Sequence, residues 1–369
     1  MVLGFGKGKD GPELDKNDVE QVLGHLIEPA MKKPLAELGW IQDLKVKGAE
    51  VRMSLGQPFP GYSGTASVSE QIDSALRELG AQKVKIETHL VVPQFRGGAK
   101  RLIPGIANLV AVASGKGGVG KSTVAINLAL ALSKSGFKTG FLDCDIYGPS
   151  LPTMVGVNPK PRTDARKRII PNQVHGMNSM SMGYLLNPGQ AATWRGPMLH
   201  KMIQQFLYNV AWGELDFLIL DLPPGTGDVQ LSLTQESPVS AALVVTTPQE
   251  AALADARKGV EMFGKVDVPV LGFVENMSAY QCRKCGKNHH LFQKDGGQRI
   301  AGSYQLPLLA KFPLDPSISS DGGEGSPLVA RSPKSDAGVA FFKLAEAVCL
   351  RLHELNVAWA PSKPQVMEV

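Results

Sequence analysis

The sequence predicts an α/β chain: a mostly parallel, doubly wound sheet with helices on both faces, preceded by a small α+β domain. Three observations carry the prediction. Five apolar runs, "IANLVAVAS", "KTGFLDCD", "FLILDLP", "AALVVTTP" and "VPVLGFVENM", are separated by helical patterns, and near-continuous apolar strands alternating with helices belong to sheets buried on both faces. A glycine-rich turn, "SGKGGVGKST", Ser114 to Thr123, joins the first run to the helical pattern "KSTVAINLALALSKSG", which Gly136 closes. The first ninety residues keep a separate rhythm of short strands and helices. At 369 residues with 43% apolar side chains, the chain is long enough for two domains.

In order, residues 1–12 read as a Gly/Lys-rich flexible tail and 13–92 as the small domain of helix, two strands, helix and strand. There "LKVKGAEVRMSL" alternates Leu44, Val46, Val51, Met53 and Leu55 across a "KGAE" turn, a hairpin pattern. Ser67 and Glu70 form a capping box before Ile72, Ala75, Leu76 and Leu79, and Gly80 follows as the C-cap. "KVKIETHL" alternates as a third strand. Two prolines and three glycines in "PQFRGGAKRLIPG" place a linker at 93–105. The larger domain is 106–356, its ligands expected beyond the carboxyl ends of its strands, and 357–369 is a C-terminal tail.

Composition narrows the function classes. No apolar run approaches the ~18 residues of a membrane span, and the N-terminus lacks the apolar or Arg/Ser-rich character of a targeting segment. Four unevenly spaced cysteines make no secreted disulfide framework, so a cytoplasmic protein is expected. The net charge of +5 is modest, and neither a nucleic-acid nor a membrane partner is expected. Lys160, Arg162, Arg166, Lys167 and Arg168 crowd one polar stretch, either a solvated loop, as charge runs usually are, or a contact for an anionic partner.

Gly115, Gly120, Lys121 and Ser122 satisfy G-x-x-x-x-G-K-[ST] between a strand and a helix, the setting of a P-loop NTPase. Backbone N–H groups from Gly115 through Gly117, Gly118, Val119 and Gly120 to Thr123 can cradle phosphate oxygens. Lys121 reaches the terminal phosphates of ATP, and Ser122 can ligate Mg²⁺. Asp221, ending "FLILD", is placed in the Mg²⁺ shell, with Gly225, Thr226 and Gly227 free to sense the γ-phosphate. Asp145 is the candidate for positioning the attacking water. Asp143 is balanced between that water network and a strand-end cap. Lys116 is the extra cation available to stabilise the transferring phosphoryl group.

K-G-G-x-G-K-[ST] resembles the deviant Walker A loop of the ATPases that include the nitrogenase iron protein and the division-site and plasmid-partition ATPases. The resemblance implies that Lys116 crosses a homodimer interface to the partner's nucleotide. "DCDIYGPSLPTMVG", "WRGPMLHKMIQQFL", "DLPPGTGDVQLSL", "TTPQEAALADARKG" and "GFVENMSAYQCRKCG" together resemble the Mrp/ApbC branch, the iron–sulfur cluster carrier ATPases. The first domain is similar to a cluster-assembly unit often fused to that branch. By family position, Asn276 and the backbone near Pro248 border the adenine. A slow, switch-like ATP hydrolase is implied, with cluster scaffolds and apoproteins as partners.

Cys282 and Cys285 are a C-x-x-C pair, able to hold two corners of a tetrahedral metal site. An all-cysteine [4Fe–4S] site needs a second such pair, which a two-fold dimer supplies. Other readings are a zinc site completed by His289 and His290 in an assembly scaffold, a thioredoxin-like redox pair, and a non-metal regulatory or positioning switch. Against the last, "NVAWAPSKPQVMEV" lacks a basic amphipathic helix. Cys144 and Cys349 read as packing residues. The chain departs from the branch in "CRKC", without a proline after the first cysteine, in the shortened glycine run of "FQKDGGQRIA", and in "PFPGYSG", without a cysteine.

Overall fold

The computed structural model describes residues 14–95, 101–186, 196–282, 284–319 and 325–358. Among the described residues, contacts divide the chain into two units, 14–92 with 353–358, and the described part of 93–352. The segment from His353 thus groups with the first unit. The terminal tails, read at 1–12 and 357–369, lie almost wholly outside the described residues.

In the small unit, α1 (Lys16–His25) is capped by Asp15, which accepts from the Asn17 N–H at 2.6 Å. Strands β1 (Ile41–Lys47) and β2 (Glu50–Gln57) form the antiparallel hairpin expected around "KGAE". Helix α2 (Gly64–Glu78) crosses back to β3 (Lys83–Leu90), which runs parallel to β2. Val51, Met53 and Leu55 of β2 and Val68, Ile72 and Leu76 of α2 are buried, so period two meets period 3.6 across one core.

Helix α2 begins three residues before the capping box read at Ser67. The Tyr62 ring lies where a Cβ on Gly64 would sit, and Thr65 donates from its backbone to Tyr62 O at 3.0 Å. The turn just before the helix therefore sets the start, and Ser67 lies inside the helix, accepting from Gln71 at 3.5 Å. Gly80, at φ +109, ends it as read, with Ala81 N–H bonded back to Leu76 O at 2.9 Å.

The large unit is built on eight strands: β4 (Ile106–Ala113), β5 (Thr139–Asp143), β6 (Asn172–Val174), β7 (Met177–Ser181), β8 (Leu215–Asp221), β9 (Ala241–Thr246), β10 (Val270–Glu275) and an edge strand, Leu308–Lys311. From that edge inward the order is β10, β9, β4, β8, β5, β7, β6, and every pairing is parallel except β6 with β7. Helices α3 (Lys121–Lys134), α4 (Gly196–Tyr208), α5 (Asp228–Glu236) and α6 (Glu250–Lys265) make the crossovers. The chain leaves β4 toward β5 on one side, while β9 returns to its other side. This topological switch point opens a crevice at the carboxyl end of β4.

All five apolar runs are strands. The short β6 and β7 carry no apolar run, since "NQV" and "MNSMS" are largely polar, although Met177 and Met180 are buried. Of the stretch read as a linker, 96–100 lie outside the described residues; on either side of them Phe95 N–H donates to Ala107 O at 3.2 Å and Ile103 is buried. Among the described residues no helix is long and apolar enough to cross a membrane.

Candidate functional site

The glycine-rich turn sits at the switch point, between β4 and the first turn of α3. Gly120 is the residue before the helix, at φ +81, with Lys121, Ser122 and Thr123 forming the first turn. Gly115 passes against α6 so closely that a Cβ there would overlap the Asp255 backbone. Gly117 and Gly118 are exposed, whereas Val119 is buried and anchors the turn. The exposed backbone donors and the helix N-terminus together suit an anion.

Beside the turn, strand register brings the carboxylates together. Asp221 is the Cα partner of Asp143 across β8 and β5, so two parallel strands end their acidic residues side by side. Lys121 Nζ contacts Asp221 Oδ1 in a pair whose side chains are 6% and 1% exposed. Burial pushes the Asp221 carboxyl up and the ammonium of Lys121 pulls it down. Asp221 Oδ2 is buried without a hydrogen-bond partner. Ser122 Oγ lies 3.2 Å from Lys121 Nζ, on the same side of the turn.

Asp143 resolves as a structural tie. It accepts from the Asp145 N–H at 3.0 Å, the Leu151 N–H at 3.1 Å and the Ser181 hydroxyl at 3.0 Å, fastening the 145–151 loop to the sheet. Burial first, then the charge on Asp221, push its carboxyl up to about 7 against those donors. Asp145 is half-buried in the loop and accepts from the Gly148 N–H at 3.2 Å, leaving its other oxygen for a further donor.

Lys116 does not stand free: its ammonium donates to Gln249 Oε1 at 3.2 Å, across the start of α6. Asn276, at the end of β10, donates from Nδ2 to Val119 O at 2.9 Å and accepts from the Met277 N–H at 3.0 Å. Its amide thus clasps the glycine-rich turn. After Gly225, whose N–H donates to Ser114 O at 3.0 Å, the segment with Thr226 and Gly227 leads into α5.

The cysteines occupy a different element, a small hairpin of β11 (Tyr280–Gln281) and β12 (Asn288–His289) that follows β10. Cys282 N–H donates to Lys287 O at 2.9 Å, and Gly286 N–H returns to Cys282 O at 2.8 Å. N–H groups of Cys285 and then Lys284, followed by the Cys285 thiol, hold Cys282 below the ordinary thiol value. Cys282 is half-buried and Cys285 exposed, whereas Cys144 and Cys349 are buried and burial pushes both thiols up. Ligand atoms of Cys282, Cys285 and His289 all lie within 4.8 Å of one another. His290 points elsewhere, with Nδ1 donating to Ser278 O at 3.2 Å.

Two site contacts were absent from the sequence reading. Gln249 is 133 residues from Lys116, and only its position in "TTPQE" before a helix marks it. Glu275, 2% exposed, accepts the Gly297 N–H at 2.5 Å and binds the "DGGQ" turn to β10. The basic stretch at 160–168 is exposed, and Arg168 pairs with Asp164 at 2.8 Å.

Residues 105–349 match the family of NUBPL iron-transfer P-loop NTPases, and residues 16–88 match the iron–sulfur cluster assembly protein family. The iron–sulfur cluster carrier protein of Haemophilus influenzae is 41% identical over 343 residues, 92% of this chain and 92% of its own. That of Escherichia coli is 41% identical over 345 residues, 93% of this chain and 94% of its own. Among solved structures, the nucleotide-binding protein of Archaeoglobus fulgidus in complex with ADP, with cobalt found in it, is 36% identical with a TM-score of 0.57, covering 65% of this chain and 93% of that one. With the strand, glycine-rich turn and paired aspartates already in place, the chain belongs to the NUBPL-type iron-transfer P-loop NTPases and carries an iron–sulfur cluster assembly domain ahead of the NTPase.

Proposed function

We propose that the protein is an ATP-dependent carrier of iron–sulfur clusters. As a homodimer it holds a labile [4Fe–4S] cluster, its cargo, between Cys282 and Cys285 of two chains and passes it to apoproteins. The observation that supports this most is the solvent-facing C-x-x-C turn in a chain whose family moves iron. One turn supplies two thiolates, and a two-fold axis supplies the other two without any new element. The curated relatives carry the name of the same activity.

The nucleotide site would run as a switch. With ATP bound, Lys121 leaves Asp221 for the terminal phosphates, and Asp145 orients the attacking water. Ser122 Oγ and the partnerless Asp221 Oδ2 are hard oxygen donors on one side of the turn, a set that fits Mg²⁺. Held by Ser122 and Asp221, Mg²⁺ would supply charge neutralisation on the phosphate oxygens. Lys116 leaves Gln249 and crosses to the partner's nucleotide. Asn276 ties the turn to the strand that runs into the cysteine hairpin, so ordering of the turn biases that hairpin between loading and release. A cytoplasmic setting goes with this reading, since a reducing compartment keeps the accessible thiols of Cys282 and Cys285 available to the cluster.

The test is cluster transfer. Protein loaded under anaerobic conditions is mixed with the apo form of a [4Fe–4S] enzyme, with an iron chelator present, and recovered enzyme activity is followed. Wild type restores activity and Cys282→Ala does not. Restoration no faster than with free iron and sulfide would sink the reading.

A further inference from the structure

The cysteine hairpin holds a third metal-binding side chain, and strand geometry explains why it is one histidine and not the other. Side chains along a strand alternate between faces, and directly paired residues share a face. Tyr280 pairs with His289, and Cys282, two residues on from Tyr280, lies on the same face. His290 falls on the opposite face, where it is bonded to Ser278 O.

We propose that Cys282, Cys285 and His289 of a single chain bind one thiophilic divalent ion, Zn²⁺ or Fe²⁺, with the fourth tetrahedral position open. The site shares its cysteines with the carrier reading but needs no second chain.

Ligands around a tetrahedral ion at about 2.3 Å for sulfur and about 2.0 Å for nitrogen stand roughly 3.5–3.8 Å apart. The three ligand atoms, all within 4.8 Å of one another, lie within about 1.3 Å of that spacing. Two thiolates and an imidazole select Zn²⁺ or Fe²⁺ over Mg²⁺ and Ca²⁺. Structural zinc sites are closed by four protein ligands, whereas here the described residues of the group number three, and Cys285 and His289 are exposed. An ion held this way is exchangeable. In a four-thiolate cluster site between two chains the imidazole has no place, so His289 separates the one-chain state from the two-chain state.

The experiment uses the full chain, metal-stripped and reduced, titrated anaerobically with Co²⁺ at concentrations where it is monomeric. The readouts are the ligand-field bands of tetrahedral Co²⁺ and the thiolate charge-transfer band. Expected are one Co²⁺ per chain in wild type and in His290→Ala, and affinity at least ~10-fold weaker in His289→Ala, since even residues behind a ligand are worth that much. His289→Cys, which restores a third donor, recovers the affinity and shows that the weak variant is folded. His289→Ala reconstituted with iron and sulfide takes up cluster as wild type does. Equal Co²⁺ affinity in His289→Ala and wild type overturns the proposal, as does one Co²⁺ per two chains with the intensity of four thiolates. Wild type that binds Co²⁺ through His289 but takes up no cluster removes the carrier reading and leaves this site standing.

Discussion

Replacing Gly120 by alanine tests how the strand that leads into the cysteine hairpin is fastened to the glycine-rich turn. Gly120 has φ +81, and a side chain in that left-handed region costs about 1–2 kcal/mol. The new Cβ would also fall on Asn276 Nδ2 and 3.5 Å from its Cγ. Asn276 is 6% exposed, so moving its amide breaks the 2.9 Å bond to Val119 O in a place water reaches poorly, at about 1–3 kcal/mol. The sum is about 3 kcal/mol, which for a unit of this size lowers Tm by roughly 6–12 °C. Thermal unfolding by circular dichroism, without nucleotide, measures it. Asn276→Ala alone removes the same bond at about 1–3 kcal/mol, yet it also clears the space. The double variant should therefore be no less stable than Gly120→Ala, with a coupling of about 1 kcal/mol or more. Additive losses would refute the contact between Asn276 and the turn.

Three further outcomes follow from the site. Lys116→Ala should keep nucleotide affinity in equilibrium binding while ATP turnover drops on the order of 10³-fold or more, as when a cation supplied from a partner is removed; unchanged turnover would end the crossing role. In native protein at neutral pH, iodoacetamide should label Cys282 and Cys285 but neither Cys144, 1% exposed, nor Cys349, 0% exposed, as peptide mass spectrometry would show. Asp143, with its folded carboxyl up at about 7, binds a proton that the unfolded chain releases near 4, so its contribution to stability falls as pH rises between those values. The stability gap between wild type and Asp143→Asn should then narrow from about pH 5 to about pH 7.5 in urea titrations, and a gap that widens would contradict the assignment.

Much of the nucleotide site was legible because its signals are local. A buried parallel strand is a run of apolar residues, the phosphate turn is a fixed spacing of glycines before a lysine, and both sit within a few residues of one another. Contacts made by register or across the fold were not. Asp143 reads as a cap or a water ligand until the β8–β5 pairing sets it beside Asp221 and three donors close on it. The choice of His289 over His290 waits on which residue pairs with Tyr280. Ser67 and Glu70 look like a helix start, but the Tyr62 ring against Gly64 places it earlier. No sequence signal marks Glu28, yet it is fully buried, taking the Tyr62 hydroxyl and, at 2.5 Å, the Met31 N–H.

The central claim is that two chains share one cluster through four cysteines. Anaerobic reconstitution with ⁵⁷Fe and sulfide, read by Mössbauer spectroscopy together with the mass of the product, tests it most directly. The account predicts a diamagnetic [4Fe–4S]²⁺ signal at one cluster per two chains in a dimer, absent from Cys282→Ala. Wild type that takes up no more iron and sulfide than Cys282→Ala, or that loads a cluster while remaining a single chain, would contradict it.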